Sequence, residues 1–179
     1  MANIKVTETN INGLFIVEPV LFSDNRGCLF ESYNSEEFAF HGLDTIFIQD
    51  NEIFSKKGVL RGMHVNVKHP QAKLIRVIEG EILDVVIDLR KESTTYLSTF
   101  SINLSGDNKK QLYIPEELGH GYLALQDSRV LMKTSTYFIR NDELGFAWNS
   151  RVLNVNWGII DPILNERDAC NKDLYEVWK

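Results

Sequence analysis

Two of the four histidines stand where a histidine could do chemistry. His64 closes the run Gly58-Val59-Leu60-Arg61-Gly62-Met63-His64, and His120 sits between Gly119 and Gly121. Flanking glycines let a ligand approach the backbone closely. A structural histidine satisfied by a neighbour is the equal alternative at each position. His41, at the end of a polar helix-like segment, and His69, beside Pro70, read as bland. A metal site in a double-sheet barrel would use a His-x-His pair, a carboxylate shortly after it and a later histidine. Asn66 stands two positions after His64 and breaks the pair, and two isolated histidines fall short of the ligands a transition metal needs. No metal and no other cofactor is expected. There is no GxSxG, Walker loop or GxGxxG, and neither Cys28 nor Cys170 has a histidine or a helix start beside it.

Cations form the second group. Arg26, Arg61, Lys73, Arg76 and Lys133 fall on or next to apolar stretches, while the whole chain carries 19 Lys and Arg against 25 Asp and Glu, a net charge of −6. That balance argues against a nucleic-acid binder, which needs a net basic face. Cations gathered in an acidic chain point to a local anionic ligand such as a phosphorylated small molecule. Solvated strand edges, or ion pairs to Glu31, Asp84 and Asp88, account for the same pattern equally.

The elements that must position these groups are strands. Gly13–Glu18, Thr45–Gln49, Lys73–Ile78, Ile82–Leu89, Tyr96–Asn103 and Val130–Thr136 are short and rich in β-branched and aromatic residues. Glu79-Gly80 reads as a tight hairpin turn, and Asp24–Gly27 and Ser105–Asn108 are turn clusters. Ser35–Phe40 has the capping serine and acidic first turn of a helix, and a second short helix is expected between Asn165 and Lys179. No βαβ alternation appears, which argues against a doubly wound parallel sheet. With 179 residues, 44% of them apolar, and no linker or repeat, the chain reads as one domain over residues 1–179. The predicted architecture is all-β, a two-sheet jelly roll with short peripheral helices that holds its ligand between the sheets. Met1–Asn10 has no apolar run, no stretch approaches the ~20 apolar residues of a membrane span, and two cysteines cannot staple a secreted fold. A cytoplasmic protein with no membrane partner is expected.

Several longer motifs carry a resemblance. Phe22–Asn34 (FSDNRGCLFESYN), Gln49-Asp50-Asn51, Leu60–His64 (LRGMH), Gln71–Val77 (QAKLIRV), Gly80–Arg90 (GEILDVVIDLR), Leu104–His120 (LSGDNKKQLYIPEELGH) and Trp148-Asn149 occur in the order found in the dTDP-4-dehydrorhamnose 3,5-epimerase family. The chain resembles that family from Asn10 to Asp168. The resemblance implies a cupin-type jelly roll (a double-stranded β-helix), a homodimer with exchanged N-terminal strands, no metal or cofactor, and a nucleotide-diphospho-4-keto-sugar substrate, either a deoxyhexose or a heptose. His64 matches the general base, Asp168 the carboxylate that orients it, and Lys73 the lysine near the sugar C4 oxygen. Arg26, Glu31, Gln49, Asn51, Arg61, His120 and Glu143 match substrate contacts. Lys133 and Arg167 flank matched catalytic positions and are expected at the substrate too.

That chemistry suits those residue types. A C–H beside a ketone is acidic only through its enolate, so its removal needs a base that titrates near neutral pH. A carboxylate on the other ring nitrogen fixes the tautomer. A preorganised donor at the enolate oxygen is typically worth ~3–4 kcal/mol, and forked guanidinium groups suit a diphosphate. The sequence also departs from the family. Met132 stands where the resemblance places the acid tyrosine, and a thioether donates no proton. Arg167-Asp168 replaces a Lys-Asp pair, and Tyr137-Phe138 replaces paired tyrosines. A water held by Lys133 or Tyr137, or another tyrosine such as Tyr122, would have to supply the returning proton. The expectation is inversion at C3 with C5 retained. Double inversion, a 3,4-ketoisomerase and a non-catalytic nucleotide-sugar binder are the alternatives.

Overall fold

The computed structural model describes residues 3–139 and 141–179. In chain order the strands are β1 Ile4–Glu8, β2 Phe15–Pro19, β3 Phe22–Asp24, β4 Gly27–Leu29, β5 Gln49–Ser55, β6 Leu60–Asn66, β7 Lys73–Glu79, β8 Glu81–Asp88, β9 Thr99–Ser105, β10 Gln111–Ile114, β11 Leu118–Ala124, β12 Ser128–Thr134 and β13 Glu143–Gly145. Three short helices join them: α1 Ser35–Phe40, α2 Glu166–Ala169 and α3 Leu174–Val177. One sheet runs β1-β2-β10-β7-β12-β5 and faces a second that runs β13-β6-β11-β8-β9, while β3 and β4 form a separate hairpin. Every pairing between these strands is antiparallel. This is the cupin-type jelly roll.

Three apolar clusters fix the layers. Ile75, Val77, Ile82, Val86, Leu104, Leu112 and Val130 meet between the sheets. Leu60, Met63, Val65, Val85, Ile87, Phe146 and Trp157 bury the outer face of the five-stranded sheet under the C-terminal segment. Ile4, Val17, Phe38, Leu43, Leu74 and Tyr113 bury part of the opposite outer face under α1. Strand β8 sends Ile82 and Val86 inward and Val85 and Ile87 outward, both to apolar layers, so it reads as a nearly continuous apolar run.

Some element boundaries differ from the sequence reading. The predicted strand Thr45–Gln49 joins the sheet only at its end, where Ile48 N–H donates to Thr134 O at 2.9 Å and β5 begins at Gln49. Phe47 earns its apolar character by packing edge-on against Tyr33 at 5.6 Å and close to Tyr113 at 6.4 Å. The predicted strand Tyr96–Asn103 begins at Thr99, and β6 and β11, which carry both candidate histidines, were not predicted as strands. Their glycines dilute the pattern. A Cβ on Gly62 would lie 2.6 Å from Gly121 Cα, and one on Gly121 would lie 2.7 Å from Met63 Sδ. Beside His120, Gly121 therefore admits a neighbouring strand and Gly119 admits the Ile87 and Phe146 side chains, rather than a ligand. Among the described residues no helix is long and apolar enough to cross a membrane.

Candidate active site

A cavity of about 550 Å³ opens between the two sheets. His64 enters it from β6. Its Nε2 lies 2.6 Å from Asp168 Oδ1, although the two residues are 104 positions apart in sequence. The C-terminal segment is brought there by a bridge between Val59 and Ile163, with Leu60 N–H donating to Ile163 O at 3.0 Å. Asn165 then caps α2, its Oδ1 accepting from Asp168 N–H at 2.7 Å. The Asp168 side chain is fully buried, and that of His64 is 19% exposed. Burial alone would raise the Asp168 carboxyl. The His64 hydrogen bond and charge, the Gly62 N–H at 3.3 Å and the Arg167 charge outweigh it and hold the group below the usual carboxylate range. Among the described residues His64 Nδ1 has no hydrogen-bond partner, so one ring nitrogen is oriented by an anion and the other is free.

Lys73 reaches the cavity from β7 on the facing sheet and is 6% exposed. Burial depresses its ammonium, against the attraction of Glu143 and Asp84. A buried cation facing an open cavity is a ready partner for an anionic or enolate oxygen. His120 lies in register with His64 and places Nε2 2.9 Å from Asp84 Oδ2. Arg167 donates to Glu143 Oε2 at 3.0 Å, and Gln49 Nε2 donates to Asn51 Oδ1 at 2.8 Å. Arg61 Nε donates to Ser55 Oγ at 3.0 Å. All of these residues except Ser55 and Asp84 line the cavity. Met132 lines it too, in register with Asn51 on one side and Ile75 on the other.

Three expected contacts lie elsewhere. Lys133 follows Met132 on β12 and therefore points to the opposite face of the sheet. There it pairs with Asp50 at 2.9 Å and sits 5.0 Å above the Tyr33 ring. Tyr137, named with it as a holder of water, is 67% exposed and off the cavity. Arg26 is exposed on the β3–β4 hairpin and pairs with Asp24 at 2.6 Å. Glu31 accepts from Asn3 Nδ2 at 2.6 Å. Conversely, Gln71, Thr134 and Phe138 line the cavity without having been singled out as contacts. Strand parity was the available signal for Thr134, which shares the Met132 face.

A jelly roll that turns a His–Asp dyad and a buried ammonium onto one cavity belongs to the class of cupin-type enzymes equipped for acid–base chemistry. The family model described as dTDP-4-dehydrorhamnose 3,5-epimerase matches residues 8–176. The dTDP-4-dehydrorhamnose 3,5-epimerase of Methanothermobacter thermautotrophicus is 38% identical over 180 residues, covering 98% of this chain and 97% of its own. The crystal structure of the Bacillus anthracis protein of the same name, with TDP and PPi bound, aligns at 37% identity with a TM-score of 0.91, covering 96% of this chain and 99% of that one. ChmJ, a 3'-monoepimerase from Streptomyces bikiniensis in complex with dTDP-quinovose, aligns at 29% identity with a TM-score of 0.87, covering 93% and 86%. The chain belongs to the dTDP-4-dehydrorhamnose 3,5-epimerase family and is an isomerase.

Proposed function

We propose that this chain inverts C3 of a dTDP-linked 4-keto sugar through an enolate and leaves C5 unchanged. One observation supports the reading: the His64–Asp168 dyad and Lys73 face a single cavity that Met132 also lines, and Met132 is the residue at which the resemblance places the acid tyrosine. Asp168 holds the imidazole so that its free nitrogen takes the proton from C3. Lys73, across the cavity, receives the charge that develops on the C4 oxygen. Abstraction is thus fully equipped, while reprotonation has lost its usual donor. Two successive inversions need reprotonation to succeed in two orientations of the ring, and a site with a substitute donor favours one. Similarity to structures solved with TDP and with dTDP-quinovose supports a dTDP-linked substrate, and a 3'-monoepimerase among the similar structures is in keeping with single inversion on this fold.

The reaction in this reading needs no metal. Its support is the donor set: among the described residues no three His, Cys, Asp or Glu converge. The working unit is a homodimer with exchanged N-terminal strands. The β3–β4 hairpin exposes Phe22 and Leu29 and carries Arg26, which has no place at its own cavity. In a pair of chains the hairpin buries these side chains and delivers Arg26 and Glu31 to the partner's site. Deuterium uptake from heavy water into a 4-keto nucleotide sugar, resolved by position, tests the function. Uptake at C3 alone is expected. Uptake at C3 and C5 would mean double inversion, and uptake at neither would mean a binding protein.

A further inference from the structure

We propose that Tyr122 is the acid that returns a proton to C3 on the face opposite His64. The inference rests on the epimerase reading above and names the donor that Met132 cannot be. Tyr122 is the one tyrosine among the described residues that line the cavity. Its backbone lies on β11, in register with Arg61 and Asp84 of the five-stranded sheet. Its hydroxyl lies 3.0 Å from Ser55 Oγ, on β5 of the facing sheet. The side chain therefore starts on the wall that carries His64 and ends on the wall that carries Met132.

The hydroxyl is held in a way that suits a donor. Ser55 Oγ already accepts from Arg61 Nε at 3.0 Å. Either hydroxyl can donate in the Ser55–Tyr122 contact; with Ser55 as the donor, the phenol hydrogen is left to turn toward the cavity. Burial pushes the phenol up, against the Ser55 hydrogen bond and the Arg61 charge, so it stays protonated at neutral pH. The other candidates are placed less well. His120 shares a sheet and a register with His64 and is tied to Asp84. Lys133 faces away from the cavity.

The step balances without a co-reactant other than water. His64 takes the C3 proton, and the electron pair of that bond enters the enolate. The Tyr122 O–H bond then breaks and a new C3–H bond forms on the other face. The phenolate rests beside Ser55 and Arg61 until water reprotonates it, and the imidazolium releases its proton to water. The phenol is 4% exposed and held at both ends, so it serves one ring orientation. That accounts for a single inversion.

The test follows exchange and inversion at C3 together, in heavy water, for the native protein and Tyr122→Phe. In the variant His64 still removes the proton and returns a deuteron from the same side. Exchange with retention should persist within a few-fold, while inversion falls by roughly 10²–10⁴-fold. Inversion that keeps pace with exchange would overturn the proposal. A native protein that exchanges nothing at C3 would sink the epimerase reading instead, so the two failures are separable. Should Tyr122→Phe fail to fold, Ser55→Ala keeps the phenol and removes its holder. The ratio of inversion to exchange should then fall about tenfold, and an unchanged ratio would overturn the proposal.

Discussion

Two buried aspartates, Asp88 at the end of β8 and Asp168 within α2, meet opposite fates. Asp88 ends β8 and is fully enclosed. Arg90 donates to it from Nε at 2.9 Å and Nη2 at 2.8 Å, and Ser93 and Thr95 donate their hydroxyls at 2.7 and 2.6 Å. Burial would raise this carboxyl, but those donors hold it at about 2. Asp168 is as deeply buried, yet its main partner is an imidazole whose other nitrogen has been left open. A carboxylate whose donors are all satisfied ties a loop to a strand. One that shares its charge with a group facing a cavity orients that group as the proposed reaction requires. The difference lies in the partners, since burial is the same.

The comparison predicts opposite responses to loss. The largest effect should follow His64→Asn, which leaves the fold intact and lowers C3 exchange by roughly 10²–10⁴-fold; unchanged exchange would remove His64 from the mechanism. Asp168→Asn should act in the same direction and by less, because the amide can hold the imidazole in the wrong tautomer, and the pH dependence of exchange should shift with it. Asp88→Asn should leave exchange per folded molecule untouched and lower stability at pH 7 by roughly 2 kcal/mol. The folded carboxyl, at about 2, lies below its ordinary 3.8, so its contribution is complete above about pH 4 and is lost as pH falls toward 2. Urea midpoints between those limits should decline less steeply in Asp88→Asn than in the native protein. Exhaustive chelation should have the smallest effect, no loss of turnover; a loss restored by one metal would contradict the metal-free reading.

Much of this was legible in the residues, for identifiable reasons. Strands with apolar layers on both faces, such as β8, announce themselves by composition. Strands β6 and β11 do not, because the glycines that let them pinch together at Gly62 and Gly121 remove the β-forming side chains a pattern needs. Local sequence could not pair His64 with Asp168, since their contact depends on a C-terminal segment returning across β6. Here resemblance supplied what spacing could not. Lys133 is expected at the substrate because it follows Met132, but strand parity turns it away from the cavity that Met132 lines. The Asp84–His120 pair needed the fold, because it is diagonal across two strands in a shared sheet.

In the proposed reaction, a site equipped for abstraction and altered for reprotonation inverts one carbon. Proton NMR of the product formed from a dTDP-linked 4-keto sugar, trapped by reduction, reads that directly. Inversion at C3 with C5 retained is expected of the native protein, and C5 exchange should appear in Met132→Tyr, where a phenol would stand beside Asn51 and Ile75. Inversion of C5 by the native protein at a rate comparable with C3 would contradict it.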